Sequence, residues 1–170
     1  MRLFVAVKLN KEAKRHNSDV QEDFLRQRVL GNYTPPEKMH ITLAFIGEYR
    51  NPDSVLDALE TVMFRPFSVT TVKVGCFGDL WWTGFEYSRE LDELAGRVRR
   101  ALAESDIPYD GKKFRPHVTI LRNAVYPREG FSNIYVEPFT VPVDGFFLMR
   151  SDRGKTGMIY TELGYIPARK

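Results

Sequence analysis

The tetrapeptide His40-Ile41-Thr42-Leu43 recurs further along the chain as His117-Val118-Thr119-Ile120. Both copies alternate polar and apolar residues, and both have a basic residue two places before the His: Lys38 in one, Arg115 in the other. A period of two belongs to a half-buried β-strand, whose successive side chains leave opposite faces. The run 38–46 therefore puts Met39, Ile41, Leu43 and Phe45 on a core face, with His40 and Thr42 on the other. The second copy turns Val118 and Ile120 inward and leaves Arg115, His117 and Thr119 together on the outer side. The fold must bury two such apolar faces while presenting two imidazole–hydroxyl pairs, each with a cation one step back.

Two strands of this kind facing one cleft surround an anion with two acid/base groups and several donors. That suits phosphoryl transfer in which one oxygen loses a proton while another gains one. A single His-x-Thr on a strand is commonly structural, since Thr favours strands in any case. Its recurrence with matching flanks is what points to chemistry. The third His serves as a control. His16 is followed by Ser18, but Lys14, Arg15, Asn17 and Asp19 show no apolar alternation, and it reads as a solvated residue near a helix start.

With 170 residues, 43% of them hydrophobic and 28% charged, the chain has the make-up of one soluble globular domain spanning 1–170. A net charge of +3 fits an anionic ligand and falls well short of a protein that lives on the DNA backbone. Cys76 is the sole cysteine, which excludes an internal disulfide or a Cys-based zinc site and suggests a reduced, cytoplasmic setting. The apolar run Leu3–Val7 is too short for a signal segment or a membrane span.

The remaining elements follow from period and punctuation. Leu3–Leu9 reads as a buried strand. Residues 10–30 read as a helix with a Ser18/Gln21 capping box, Val20, Phe24 and Leu25 on one face, and Gly31 as a stop. Tyr33–Pro36 reads as a loop. Asn51-Pro52 opens a second helix carrying Val55, Leu56, Leu59, Val62 and Met63, and Ser88 caps a third carrying Leu91, Leu94, Val98 and Leu102. Phe67–Val74 and Leu80–Tyr87 read as paired strands, and 123–137 as a long connection. Thr140–Met149 and Gly157–Leu163 read as two late strands. The order strand, helix, His-strand followed by strands, helix, His-strand is a weak duplication. It predicts an α+β fold of two pseudo-symmetric lobes of antiparallel-rich sheet, with helices outside and a central cleft carrying the two His-x-Thr strands.

Taken together, Met1–Val7, Pro35–Glu48 around the first motif, Phe114–Arg122 around the second, and a tail with Ser151, Tyr160 and Leu163 resemble the two-histidine phosphoesterases. Within that family the branch is RNA 2′,3′-cyclic phosphodiesterase, or 2′-5′ RNA ligase. The resemblance implies a bilobal α+β fold and metal-independent hydrolysis of a terminal 2′,3′-cyclic phosphate to a 2′-phosphate. It implies His40 and His117 as the catalytic pair and Arg122 as a phosphate ligand. Tyr33-Thr34 stands where the family often has an aromatic pair, and Leu121 where it usually has a small residue; both departures bear on substrate preference.

The mechanism expected from these residues has one neutral imidazole taking a proton from water and the other, protonated, giving one to the leaving ribose oxygen. His117 is favoured as the base and His40 as the acid. Thr42 and Thr119 would hydrogen-bond the non-bridging oxygens, and Arg122, Arg115 and Lys38 would bind substrate. The expected partner is an RNA end or a 2′,3′-cyclic nucleotide, with no metal, no cofactor, no membrane and no obligatory protein partner. A zinc hydrolase is disfavoured because no Asp or Glu stands at ligand spacing from either motif. A binding module without turnover would not need both imidazoles. Ligation through a 2′-5′ bond is hydrolysis of the same bond type run in reverse. Trp81, Trp82 and Phe85 are candidates for base stacking, and Tyr126, Arg128 and Phe131 for an edge of the cleft.

Overall fold

In the computed structural model, which describes residues 1–170, the chain forms two antiparallel sheets and three α-helices. The strands are β1 (Arg2–Lys8), β2 (Leu30–Tyr33), β3 (His40–Glu48), β4 (Phe67–Phe77), β5 (Leu80–Phe85), β6 (His117–Val125), β7 (Phe139–Val143), β8 (Gly145–Gly154) and β9 (Gly157–Pro167). The helices are α1 (Lys11–Arg26), α2 (Pro52–Leu59) and α3 (Arg89–Glu104). One sheet runs β3-β1-β8-β9 and the other β2-β6-β5-β4-β7. Each sheet holds one His strand, and β3 and β6 are neighbours across the sheets.

The sheets do not divide the chain into a first and a second half, as a simple duplication predicts. The His40 sheet draws its last two strands from the end of the chain, while β2 and β4 of the first half enter the His117 sheet. The helices cross over as well. α1 leaves a strand of the His40 sheet and packs on β6 and β7; α3 leaves β5 and packs on β3. One continuous cluster of 37 buried residues, from Leu3 and Phe146 to Val118 and Val141, runs through both layers.

Local signals explain most element ends and several departures. Asn10 caps α1, its side chain accepting from the Ala13 amide at 2.9 Å, so the helix starts well before the predicted Ser18 box. Gln21 is buried and bonded elsewhere. His16 consequently lies inside α1, stacked on Phe139 with ring centroids 4.7 Å apart, instead of standing in solvent at a helix start. α1 ends at Arg26 because Arg28 turns left-handed (φ 62°), with Val29 N–H bonded to Phe24 O and Arg28 N–H to Leu25 O. This is the Schellman arrangement without a glycine, and α3 repeats it at Asp106 (φ 57°). Leu25 and Met63, expected on buried faces, are more than half exposed.

The segment read as a loop from Tyr33 begins on the last residue of a short strand, β2, which pairs with β6. The late strand predicted as Thr140–Met149 is broken at Asp144: its first part, β7, edges the His117 sheet, and β8 lies in the other. Pro142 is tolerated because β7 is an edge strand.

The alternation through His40–Leu43 holds and then breaks. Ala6 pairs with Thr42 and Val5 with Ala44, so Leu43 has no partner. In β6 the same break recurs: Trp82 pairs with Thr119 and Trp81 with Leu121, leaving Ile120 over. Each His-x-Thr-apolar motif thus ends in a β-bulge on its fourth residue, and each bulge is followed by a second buried residue, Ala44 or Leu121. Phe45 accordingly turns to the His40 face, where it packs with Phe4, Ala6 and Met149, and not to the core face where strict alternation puts it.

Candidate active site

His40 and His117 are the first residues of their strands, and both are held in the same way. His40 Nδ1 lies 2.7 Å from the Lys38 carbonyl and His117 Nδ1 lies 2.6 Å from the Arg115 carbonyl. A carbonyl only accepts, so in each ring Nδ1 carries the hydrogen and Nε2 is left to exchange protons. The two basic residues of the motif therefore serve first through their backbone, a role that side-chain reasoning overlooks. His40 Nε2 lies 3.1 Å from Thr42 Oγ1, so the hydroxyl donates to the neutral ring.

Aromatic walls flank each imidazole. Phe4 lies 5.2 Å from the His40 ring and Tyr160 meets it edge-on at 5.5 Å. Phe77 meets His117 edge-on at 5.3 Å, and Trp82 lies 6.2 Å away. Burial among these rings favours the uncharged imidazole and lowers both pKa values from 6.5, against the raising effect of the carbonyl bonds. For His40 the neighbouring His117 and then Arg122 push further down; for His117, Arg122 does so.

Arg122 reaches this site because of the bulge. In an unbroken strand Leu121 would share the face of His117 and Thr119 and Arg122 would point away. The extra residue at Ile120 buries Leu121 and brings Arg122 to the Thr119 side. Lys38, His40, Thr119 and Arg122 line one cavity of about 710 Å³, together with Tyr33, Gly157 and Tyr160. His117 and Arg115 line a second cavity of about 500 Å³, bounded also by Phe77, Trp82, Tyr87 and Lys113. His40, Thr119, Arg122 and Lys38 are thus gathered, with Thr42 beside His40, while the Arg115 side chain opens into the far cavity.

Of the aromatic candidates, Trp82 and the edge of Phe85 line the His117 cavity. Trp81 packs with Phe24 and Phe131 on the other face of the sheet and donates its indole N–H to Tyr126 Oη at 2.7 Å. The rest of Phe85 is buried in the core. Phe131 and Tyr126 belong to that same far face and form no edge of the His cleft.

Sequence reasoning missed two supports of the Arg122 segment. Gln21, 7% exposed on α1, donates through Nε2 to Thr34 O at 2.8 Å and to Ile120 O, the carbonyl of the bulge residue, at 2.9 Å. Gly31 (φ 149°) lies so close to β6 that a Cβ there would stand 2.7 Å from Arg122 O and 2.8 Å from Leu121 Cδ1. The only sequence signals for these are a Gln on an apolar helix face and a lone Gly before an aromatic. No group of three or more His, Cys, Asp or Glu side chains able to hold a metal ion is assembled in the chain.

Residues 13–155 match the model of the 2′-5′ RNA ligase superfamily. The chain is 30% identical to a protein of Thermotoga maritima named RNA 2′,3′-cyclic phosphodiesterase, across 96% of this chain and 93% of that one. It is also 30% identical to the Thermus thermophilus protein of the same name, across 96% and 88%. Among solved structures, LigT of Escherichia coli in apo form superposes with a TM-score of 0.84 at 23% identity, covering 99% of this chain and 98% of that one. TT0787 of Thermus thermophilus superposes with a TM-score of 0.80 at 28% identity, covering 98% and 97%.

Proposed function

The chain belongs to the 2′-5′ RNA ligase superfamily, and we propose that it is an RNA 2′,3′-cyclic phosphodiesterase, a single two-lobed domain that opens a terminal cyclic phosphate by acid–base catalysis between His40 and His117. The observation that carries the reading is the pair of imidazoles, one from each sheet, both with Nδ1 pinned to a carbonyl, which leaves Nε2 as the proton-exchanging atom, beside Thr42 Oγ1 in His40. Such a pair can take up one proton and release another without either ring turning.

The phosphate sits in the larger cavity, between His40, Thr119 and Arg122. Thr42 and Thr119 hydrogen-bond its non-bridging oxygens, and Arg122 neutralises charge that builds in the transition state. His40 is the acid. It shares the cavity with the substrate, whose anion offsets the desolvation that otherwise keeps this ring neutral. It gives its Nε2 proton to the departing 3′-oxygen, which leaves a 2′-phosphate. His117, lining the cavity on the opposite side, takes a proton from the attacking water. Each proton transfer contributes roughly 10²- to 10⁴-fold. Lys38 and Arg115 bind the backbone of the RNA on either side. An exposed, unpaired Cys76 supports a reducing, cytoplasmic setting.

The test is to incubate the protein with a short RNA ending in a 2′,3′-cyclic phosphate, in EDTA, and identify the product isomer. A 2′-phosphate is expected, and His40→Ala or His117→Ala should reduce its formation by at least a hundredfold without unfolding the protein. A 3′-phosphate would reassign the leaving oxygen; wild-type protein that binds the RNA and releases no product would overturn the reading.

A further inference from the structure

Each His motif ends in a bulge, and a side chain from the helix packed behind it holds the carbonyl of the bulge residue. Gln21 on α1 holds Ile120 O in the His117 strand. On α3, Arg99 does the same for the His40 strand, donating through Nε to Leu43 O at 3.2 Å. The second bond of each side chain goes to the other half of the site. Gln21 reaches Thr34 O, in the segment that leads into His40. Arg99 reaches Lys112 O with Nη1 at 2.8 Å, in the segment that leads into His117. Gln21 and Arg99 thus form reciprocal clamps, each tying one His strand to the approach of the other.

The two approaches differ in how firmly they are otherwise held. The one before His40 includes β2, paired with β6, and a turn of 3₁₀ helix at Pro36–Lys38. In the one before His117, no residue from 105 to 116 belongs to a helix or a strand. Ile107 is buried near its start, and Asp110 N–H bonds to Phe45 O at 2.8 Å. Arg99 secures the part beyond. Its guanidinium lies 5.9 Å from the Tyr109 ring and 5.5 Å from the Phe114 ring, with Lys112 O held between them. Three residues after Lys112 comes Arg115, whose carbonyl fixes the His117 ring. Arg89 and Arg97 of the same helix pair with Glu93, whereas Arg99 pairs with no carboxylate. A planar fork can hold two carbonyls while lying against aromatic rings, which an ammonium group cannot.

We propose that Arg99 is a positioning residue for His117: it clamps the segment carrying the Arg115 carbonyl onto the bulge of the His40 strand, and so keeps the two imidazoles aligned on one phosphorus. The inference rests on the reading of His117 as the base. Without the clamp, residues 111–116 are free to shift, while the bulge at Leu43 stays flanked by pairs with β1. His117 therefore moves and His40 does not. A reacting group misplaced by about 1 Å can cost roughly a hundredfold in rate. The cavity between His40, Thr119 and Arg122 is lined by no residue of 111–116 and not by Arg99, so a cyclic mononucleotide still binds there and turnover is what falls.

The experiment compares the wild type with Arg99→Met and Arg99→Lys on adenosine 2′,3′-cyclic phosphate. It also follows the imidazole nitrogen resonances of the isotope-labelled proteins at a pH where both rings are neutral. In Arg99→Met, kcat should fall about 10- to 100-fold while KM stays near the wild-type value. The Nε2–H tautomer should appear at His117, and His40 should keep its single Nδ1–H tautomer. Arg99→Lys keeps the charge and reaches one carbonyl, so it should lie between the other two proteins in both readouts; it also carries the test if Arg99→Met fails to fold. An unchanged kcat, a rise in KM that accounts for the whole loss, or equal tautomer mixing in both rings would each overturn the clamp. So would a wild-type tautomer at His117 in a variant with lowered kcat. Absence of hydrolysis by the wild type would instead overturn the phosphodiesterase reading, and the His117 resonances would still decide whether Arg99 holds that ring.

Discussion

A bond from each imidazole to a carbonyl two residues upstream fixes which nitrogen works, and burial fixes where it titrates. In the proposed mechanism the free enzyme is active with one ring charged and one neutral, so kcat/KM peaks between the two pKa values. Both are lowered below 6.5, chiefly by desolvation, so the peak for a cyclic mononucleotide should lie on the acid side of 6.5 and fall through neutrality. A maximum above pH 7 would contradict the desolvated pair. Arg122→Gln removes a positive charge that depresses both rings; the peak should move to higher pH as kcat/KM drops about a hundredfold or more. Gln21 touches no substrate and acts through the bulge, as a positioning residue. Gln21→Leu leaves the carbonyls of Thr34 and Ile120 without this donor, which should cost about 1–3 kcal/mol in stability. If it positions Arg122, KM should also rise more than kcat falls, and an unchanged KM would reduce it to a purely structural bond.

Among the elements, the paired bulges show how far a sequence can be read and where the reading stops. Alternation placed His40, Thr42, His117 and Thr119 on one face each, because up to Thr42 and Thr119 the ladder is unbroken. It misplaced Phe45, because counting by twos assumes one partner per residue and Leu43 has none. Strict counting by twos past Ile120 would put Arg122 on the far face, so in the sequence Arg122 is identified only through the family resemblance. A trace was present in the chain: both motifs continue with two apolar residues in succession, Leu43-Ala44 and Ile120-Leu121. The strand β2 escaped notice because Leu-Gly-Asn-Tyr has no β-branched residue and three of its four residues are exposed. The end of α1 lies before the Gly31 that the sequence suggests, because Arg28 does the work of glycine. Holding a side chain in the left-handed region costs about 1–2 kcal/mol, part of which glycine returns as lost chain entropy. Arg28→Gly should therefore stabilise the fold modestly and raise the midpoint of thermal unfolding by about 2–4 °C per kcal/mol gained. A lowered midpoint would show that the Arg side chain contributes more than its backbone costs.

Across the whole molecule, the cleft lies between two sheets that are not independent bodies. Helices swap sides, and one core of 37 buried residues joins the layers. Unfolding should therefore occur in a single transition, with far-ultraviolet circular dichroism and Trp fluorescence, whose two reporters lie in β5, giving the same midpoint. Two separated transitions would mean that the sheets hold their own cores. The interleaving also sets an order in time. During synthesis the His117 sheet has all five strands once Val143 has emerged. The His40 sheet then consists of β1 and β3 alone, a ribbon too small to stand by itself. Only when β8 and β9 follow does His40 acquire a rigid seat, with Tyr160 at its edge. A nascent chain still attached to a ribosome, and surrounded by RNA, carries one wall of the two-histidine cleft and receives the other wall last.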